Sequence, residues 1–290
     1  MSAAQGRSQA SSAARGAHFS ADWLQQREPF DTAARDEAAR HLQLAARFHA
    51  MAPPAGTPWR VIDLGCGTGA NQRWLAPRLG GAQQWLVVDH DAALLRGWPP
   101  GASGPGFEAS IVCRQLDLAR HLDTLPWHAA HLVTASALLD LVSADWLQRL
   151  VSHAVGARAA MLFTLSVDGR HDWEPGDPLD STVGRLFARH QRRDKGFGPA
   201  LGAAAVPALR RALQGSGYRV FSAASDWRIH SLESAQAGAL HRALVDGIAH
   251  AACEQEPASI AALEAWRQRR HAKATSGSLR VGHVDLLALP

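Results

Sequence analysis

Residues Val61-Ile62-Asp63-Leu64-Gly65-Cys66-Gly67-Thr68-Gly69 place three glycines within five positions, directly after a short apolar run. Pro53, Pro54, Gly56 and Pro58 break the chain just upstream, so Trp59 to Leu64 reads as a strand. Glycine removes the side chains that would keep a ligand from the backbone, and it permits turns that bulkier residues resist. A helix expected over Ala70 to Leu79 would bring free amides and a positive dipole end to the loop. Strand, loop and helix together read as a nucleotide-binding element. Gly65, Gly67 and Ala70 also satisfy the dinucleotide spacing GxGxxA, which leaves NAD open. Val87-Val88-Asp89 ends a second expected strand twenty positions after Gly69, where a carboxylate can accept bonds from both ribose hydroxyls. That acid, with His90 beside it, points to an adenosine-type ligand without choosing between cofactors.

Outward from this element, strands and helices alternate. Further strands are expected at Gln84 to Asp89, Ala109 to Asp117, Ala130 to Ala135, Ala159 to Val167, Tyr218 to Ala224 and Leu279 to Leu289. Helices are expected from Ala92, at Ala144 to Val155 and at Val206 to Leu213. The rhythm predicts an α/β, Rossmann-like fold: a mostly parallel seven-stranded sheet with helices on both faces. Ala21 to Ala50 carries helical spacing interrupted by Pro29, which predicts one or two helices forming an N-terminal helical cap over residues 18–52. The cofactor-binding core is expected over 59–167. Asp168 to Leu201 reads as a loop followed by a helix at Ser181 to Arg192, so 168–205 is expected to be a substrate-side insertion. Residues 206–290 complete the sheet and hold a helical insertion over 233–272, with helices at Glu233 to Ala251 and Ile260 to Ala272. Residues 18–290 are read as one domain behind a disordered tail, residues 1–17.

Composition narrows the class. The net charge of +4 over 290 residues comes almost wholly from arginine, with Lys195 and Lys273 the two lysines, and the basic residues are scattered among carboxylates. A nucleic-acid binder would concentrate them in a stripe with aromatics, so a nucleic-acid partner is not expected. Cys66, Cys113 and Cys253 form no CxxC pair, which removes support for metal or disulfide frameworks and fits a reducing compartment. The N-terminal residues lack an export signal's apolar core, and no apolar run reaches membrane-crossing length; a cytoplasmic protein without a membrane partner is expected.

Asp63-Leu64-Gly65-Cys66-Gly67-Thr68-Gly69 closely resembles motif I of class I S-adenosylmethionine-dependent methyltransferases, whose glycine loop wraps the methionyl part of the cofactor. Asp63, two residues before the first glycine, favours this resemblance over the dinucleotide one. Gln115-Leu116-Asp117-Leu118 is similar to the family position where an aspartate meets the adenine amino group and an apolar neighbour covers the ring. A strand-ending aspartate that merely caps a helix is the alternative for Asp117. Thr134 to Val142 resembles the segment that places reacting groups beside the sulfonium, which makes Ser136 a cofactor contact and Asp140 a candidate catalytic group. Capping or packing is an equal reading of Asp140. The Asn/Asp-Pro-Pro-aromatic motif and the nucleophilic cysteine of two base-methylating chemistries are not found there.

The remaining chain resembles bacterial small-molecule methyltransferases, in which a helix before motif I caps the cofactor. On that resemblance Arg27 or Arg35 pairs with the cofactor carboxylate and Trp23 roofs the pocket; a surface arginine and a core tryptophan are the alternatives. His190 to Pro199 is a polar, basic loop suited to a carboxylate, phosphate or polar ring, with Arg193 and Lys195 as substrate contacts and His190 as a possible proton acceptor. His171 is a further candidate base. The expected function is methyl transfer from S-adenosylmethionine to an oxygen, nitrogen or carbon of a small molecule. A methyltransferase-like domain that binds the cofactor or an RNA without catalysis, and an NAD-dependent oxidoreductase, are the rivals.

Overall fold

The computed structural model describes residues 20–290; the tail expected over residues 1–17 lies outside them. The chain opens with α1 (Ala21–His41) and α2 (Leu44–Ala50), then enters the sheet through β1 (Trp59–Leu64), α3 (Ala70–Leu79) and β2 (Gly81–Asp89). Next come α4 (Ala92–Leu95), β3 (Gly101–Gly104), β4 (Phe107–Gln115), α5 (Leu118–His121), β5 (Leu132–Ser136), α6 (Ala144–Gly156) and β6 (Ala160–Glu174). The C-terminal part holds α7 (Asp180–Gln191), α8 (Ala205–Gly215), β7 (Arg219–Ala224), β8 (Trp227–His230), α9 (Ala235–Gln255), α10 (Ile260–Lys273) and β9 (Ser278–Leu289).

One nine-stranded sheet runs β3-β4-β2-β1-β5-β6-β9-β7, with β8 also paired to β9. The α/β class and the mostly parallel sheet are as expected, but there are nine strands, not seven. The two extra strands, β3 and β8, have four residues each and pair antiparallel with β4 and β9. Neither carries the long β-branched run that marks a strand in sequence. β1 pairs parallel with β2 on one side and β5 on the other, so the order reverses at β1. In open α/β sheets the crevice beyond the strand ends at such a reversal is where ligands bind. β9 runs antiparallel between β6 and β7. That insertion departs from the dinucleotide order 3-2-1-4-5-6, in which the sixth strand adjoins the fifth.

Periodicity explains the layers. On α6 the buried residues Trp146, Leu147, Leu150, Val151 and Ala154 recur at helical spacing and face one side of the sheet with Leu209 and Leu213 of α8. Phe48, Trp74, Leu75 and Leu79 cover the other side against Trp85 and Leu162. Each large apolar side chain taken out of water contributes about 1.5–3 kcal/mol, which sets the helices flat on the sheet.

Two local expectations are refined or corrected. Two helices form before the core, but α1 passes through Pro29 unbroken and the interruption falls at Gln43, whose φ of 51° is left-handed. Pro29 and Gln25 are both exposed, so the carbonyl that loses its partner faces water while the opposite face of α1 stays packed. The segment read as loop from Asp168 is strand through Glu174, because β9 pairs with it as far as Glu174 opposite Ser278. Its residues from Asp168 onward are largely exposed, so no burial pattern announces the strand.

Candidate active site

β1 ends at Leu64 in register with Val88, so the glycine loop emerges beside the end of β2, where the Cys66 N–H donates to the Val88 carbonyl at 3.0 Å. Asp89 is the hinge between them. Its Oδ2 accepts from the Gly67 N–H at 2.9 Å and its Oδ1 from the Asp91 N–H at 2.9 Å, while His90 Nδ1 lies 3.3 Å from the carboxylate. Trp98 clamps the loop from above: its Nε1 donates to the Gly67 carbonyl at 2.9 Å. Arg73 completes the brace by donating to the Thr68 carbonyl at 2.6 Å and to Glu28 of α1. Gly65 and Gly67 hold φ values of +66° and +53°, the region that favours glycine.

A cavity of about 620 Å³ opens over this arrangement. It brings together Gly65, Gly67, Asp89, His90, Asp117, Leu118 and Ser136, with Arg27 of α1 and Lys195 of the loop after α7. Register explains the grouping of the strand-end acids, since Asp89 of β2 pairs with Gln115 of β4 two residues before Asp117. Asp117 caps a helix, the alternative reading of it, and also faces the cavity. Its Oδ1 caps α5 by accepting from the Ala119 N–H at 2.9 Å, and the half-exposed carboxylate also lines the cavity. Beyond β5, Ala137 takes a φ of +53° and donates to the Thr164 carbonyl at 3.0 Å, a turn around which Ser136, Ala137, Leu138 and Leu141 line the wall.

Other residues singled out from sequence lie elsewhere. Asp63 is fully buried beneath the loop, accepting from Asn71 at 2.8 Å, and it does not line the cavity. Cys66 packs into the core against Trp74, and burial pushes its thiol pKa up, so it is an inert apolar filler. Gly69 is covered: a Cβ built on it would lie 3.0 Å from the Trp98 ring and 3.1 Å from Arg73. Arg35 is buried within the fold, donating to the Asp31 carbonyl at 3.2 Å and to Asn71 at 3.4 Å with its guanidinium over Trp74. Trp23 packs in the cluster around Trp227 and Leu240. His190 and Arg193 both hold Glu254, at 2.9 and 3.4 Å, outside the cavity wall. His171 lines a separate shallow groove of about 360 Å³ with Arg185. Asp140 sits behind the wall; its Oδ1 is buried without a partner among the described residues, and burial raises its pKa.

The cavity also recruits residues that sequence reading missed. Leu24 shares one face of α1 with the expected Arg27 by i, i+3 spacing, a signal available in sequence. Phe197, held edge-on by Trp146 at 5.4 Å, had no such signal, and neither did Trp98, which braces the loop over Gly69 outside the cavity lining, because tertiary packing alone places them.

Burial makes the protein's stability pH-sensitive. The carboxyls of Asp63 and Asp285 are both pushed up to about 7, chiefly by burial, against the pull of hydrogen bonds and of Arg35. The folded state therefore binds these protons more tightly than the unfolded chain, and this stabilisation is complete below the ordinary carboxylate range and is lost as pH rises through about 7. Stability contributed by the pair should fall between pH 5 and pH 8. Urea unfolding across that range checks it: the Asp63→Asn, Asp285→Asn double variant should show a flatter profile, and an unchanged slope would contradict the assignment.

No protein-family model and no curated protein matches the sequence. Similar solved structures include a cyclopropane-fatty-acyl-phospholipid synthase-like protein from Lactobacillus casei, 14% identical with a TM-score of 0.48, covering 95% of this chain and 96% of that one. A SAM-dependent methyltransferase from Archaeoglobus fulgidus is 14% identical with a TM-score of 0.41, covering 92% and 99%. A mycolic acid cyclopropane synthase complexed with SAH and CTAB is 12% identical with a TM-score of 0.43, covering 84% and 83%. Likeness at this level carries no argument about chemistry, which rests on the site itself.

Proposed function

We propose that the chain is an S-adenosylmethionine-dependent methyltransferase acting on a small molecule. One observation carries the reading. The cavity takes Gly65 and Gly67 from the loop and acids from the ends of two strands, but Thr68, Gly69 and Ala70 at the start of α3 do not line it. A dinucleotide needs the amides at that helix start for its pyrophosphate. Here Trp98 and Arg73 cover Gly69, so a nucleoside joined to a short polar chain fits where NAD does not.

The donor set fits that cofactor. Asp89 already accepts two backbone N–H bonds, yet a carboxylate has about four lone-pair sites, which leaves capacity for ribose hydroxyls. Asp117 offers a half-exposed carboxylate oxygen to an amino group, and Leu116 and Leu118 supply apolar surface for a ring. Arg27, anchored to Asp31 at 2.9 Å, would meet the cofactor carboxylate. S-adenosylmethionine, when bound, supplies a methyl group on a positively charged sulfur. The residues of this chain would orient donor and acceptor and exclude water, the main contribution such a displacement needs.

Asp89→Asn is expected to weaken S-adenosylhomocysteine binding by about 1.5–3 kcal/mol, because an amide cannot accept equally from ribose and the Gly67 N–H. Calorimetry on the folded variant checks this; wild-type affinity would remove Asp89 from the site. Turnover is tested with methyl-labelled S-adenosylmethionine and a small-molecule extract. Label in low-molecular-weight product supports the reading. Label in RNA or protein, or cofactor binding with no transfer, favours a macromolecular acceptor or an inactive binding domain.

A further inference from the structure

We propose that the methyl acceptor is a small apolar molecule bearing one anionic oxygen group, and that Lys195 selects it by pairing with that group. The inference rests on the methyltransferase reading and concerns the part of the cavity wall that the strand-end acids do not supply. That part is largely apolar, with Leu24, Leu141 and Phe197, and it holds the cations Arg27 and Lys195; a further lining cation, Arg120, lies 3.5 Å from Asp117 among the strand-end acids. The first two differ in one respect. Arg27 is ion-paired to Asp31 and lies over the Trp227 ring. The Lys195 ammonium is half-buried, and among the described residues it makes no ion pair and no hydrogen bond.

The carboxylates that influence Lys195 are not placed to neutralise it. Glu254 is engaged by His190 at 2.9 Å, by His250 at 3.1 Å and by Arg193 at 3.4 Å. Asp140 is outside the cavity lining, with Oδ1 buried and unpartnered among the described residues, and burial raises its pKa. Among the described residues no carboxylate lies within ion-pair distance of Lys195, which leaves this end of the cavity positive. Withdrawing an ammonium from water without a counter-ion is costly, and burial accordingly lowers the Lys195 pKa. An acceptor anion removes that cost and forms a charge-assisted hydrogen bond, while its apolar body covers Leu141 and Phe197. A carboxylate governing the same end would instead favour an amine. The two readings demand opposite charge on the acceptor.

The experiment titrates the full chain, first with S-adenosylhomocysteine and then, once saturated, with benzoate, indole-3-carboxylate and 2-naphthoate, each beside its amide, and with benzylamine. At least one carboxylate should bind roughly ten-fold more tightly than its amide. Lys195→Met should erase that preference while S-adenosylhomocysteine still binds, and Lys195→Arg should retain it. Equal binding of acids and amides, binding of no acid, preference for benzylamine, or a preference that survives Lys195→Met overturns the proposal. Absence of S-adenosylhomocysteine binding in the first titration instead overturns the methyltransferase reading, so the two failures are distinct.

Discussion

Valine in place of Gly67 should reduce affinity for S-adenosylmethionine and S-adenosylhomocysteine by roughly a hundred-fold or more, equivalent to about 2.7 kcal/mol. Gly67 holds a φ of +53°, and an added Cβ would lie 3.2 Å from Leu24 Cδ1, closer than most such contacts. A β-branched residue pays a conformational cost there of about 1–3 kcal/mol. The loop cannot slide away, because the Gly67 N–H is held by Asp89 and its carbonyl by Trp98. The strain must fall on Leu24 and on the cavity that both residues line. Calorimetry with S-adenosylhomocysteine, alongside circular dichroism to show the fold, measures the effect, and Gly67→Ala should lie between. A folded valine variant with wild-type affinity would mean that the loop does not approach the cofactor.

Arg35→Leu should destabilise the protein by about 3–5 kcal/mol, the usual result of breaking a buried charge cluster by removing one partner. Arg35 is fully buried, and Asp31 and Asp285 act on it electrostatically, as it acts on Asp63. Without the guanidinium those carboxyls lose their attraction, Asn71 loses a donor and Trp74 loses the cation over its ring. The loss should grow as pH rises through about 7, where Asp63 and Asp285 ionise. Urea midpoints at pH 6 and pH 8 test this. Full stability with lost cofactor affinity would instead make Arg35 a ligand.

Most of what could be read from sequence is local. The loop, Asp89 and Asp117 each sit at a strand end within a few residues of an apolar run, so period and position find them together. The resemblance to a family cap helix offers Arg35 as a partner for the cofactor carboxylate. Yet Asp31, Ala34, Arg35 and Ala38 form the buried i, i+3, i+4, i+7 stripe of α1, which already placed Arg35 inside the fold. Trp98 follows Asp89 by nine residues with no periodic cue, and only the folded chain shows it closing over Gly69. The basic loop after α7 divides between two tasks that composition could not separate: Arg193 and His190 hold α9 through Glu254, while Lys195 alone of the three reaches the cavity.

The central claim is that the loop and strand-end acids receive a nucleoside carrying a short polar chain and exclude a dinucleotide. Calorimetric titration of the wild-type chain with S-adenosylhomocysteine and, separately, with NAD tests it most directly. The account predicts saturable, one-to-one heat with S-adenosylhomocysteine and none with NAD. Saturable binding of NAD, with no heat from S-adenosylhomocysteine, would contradict it.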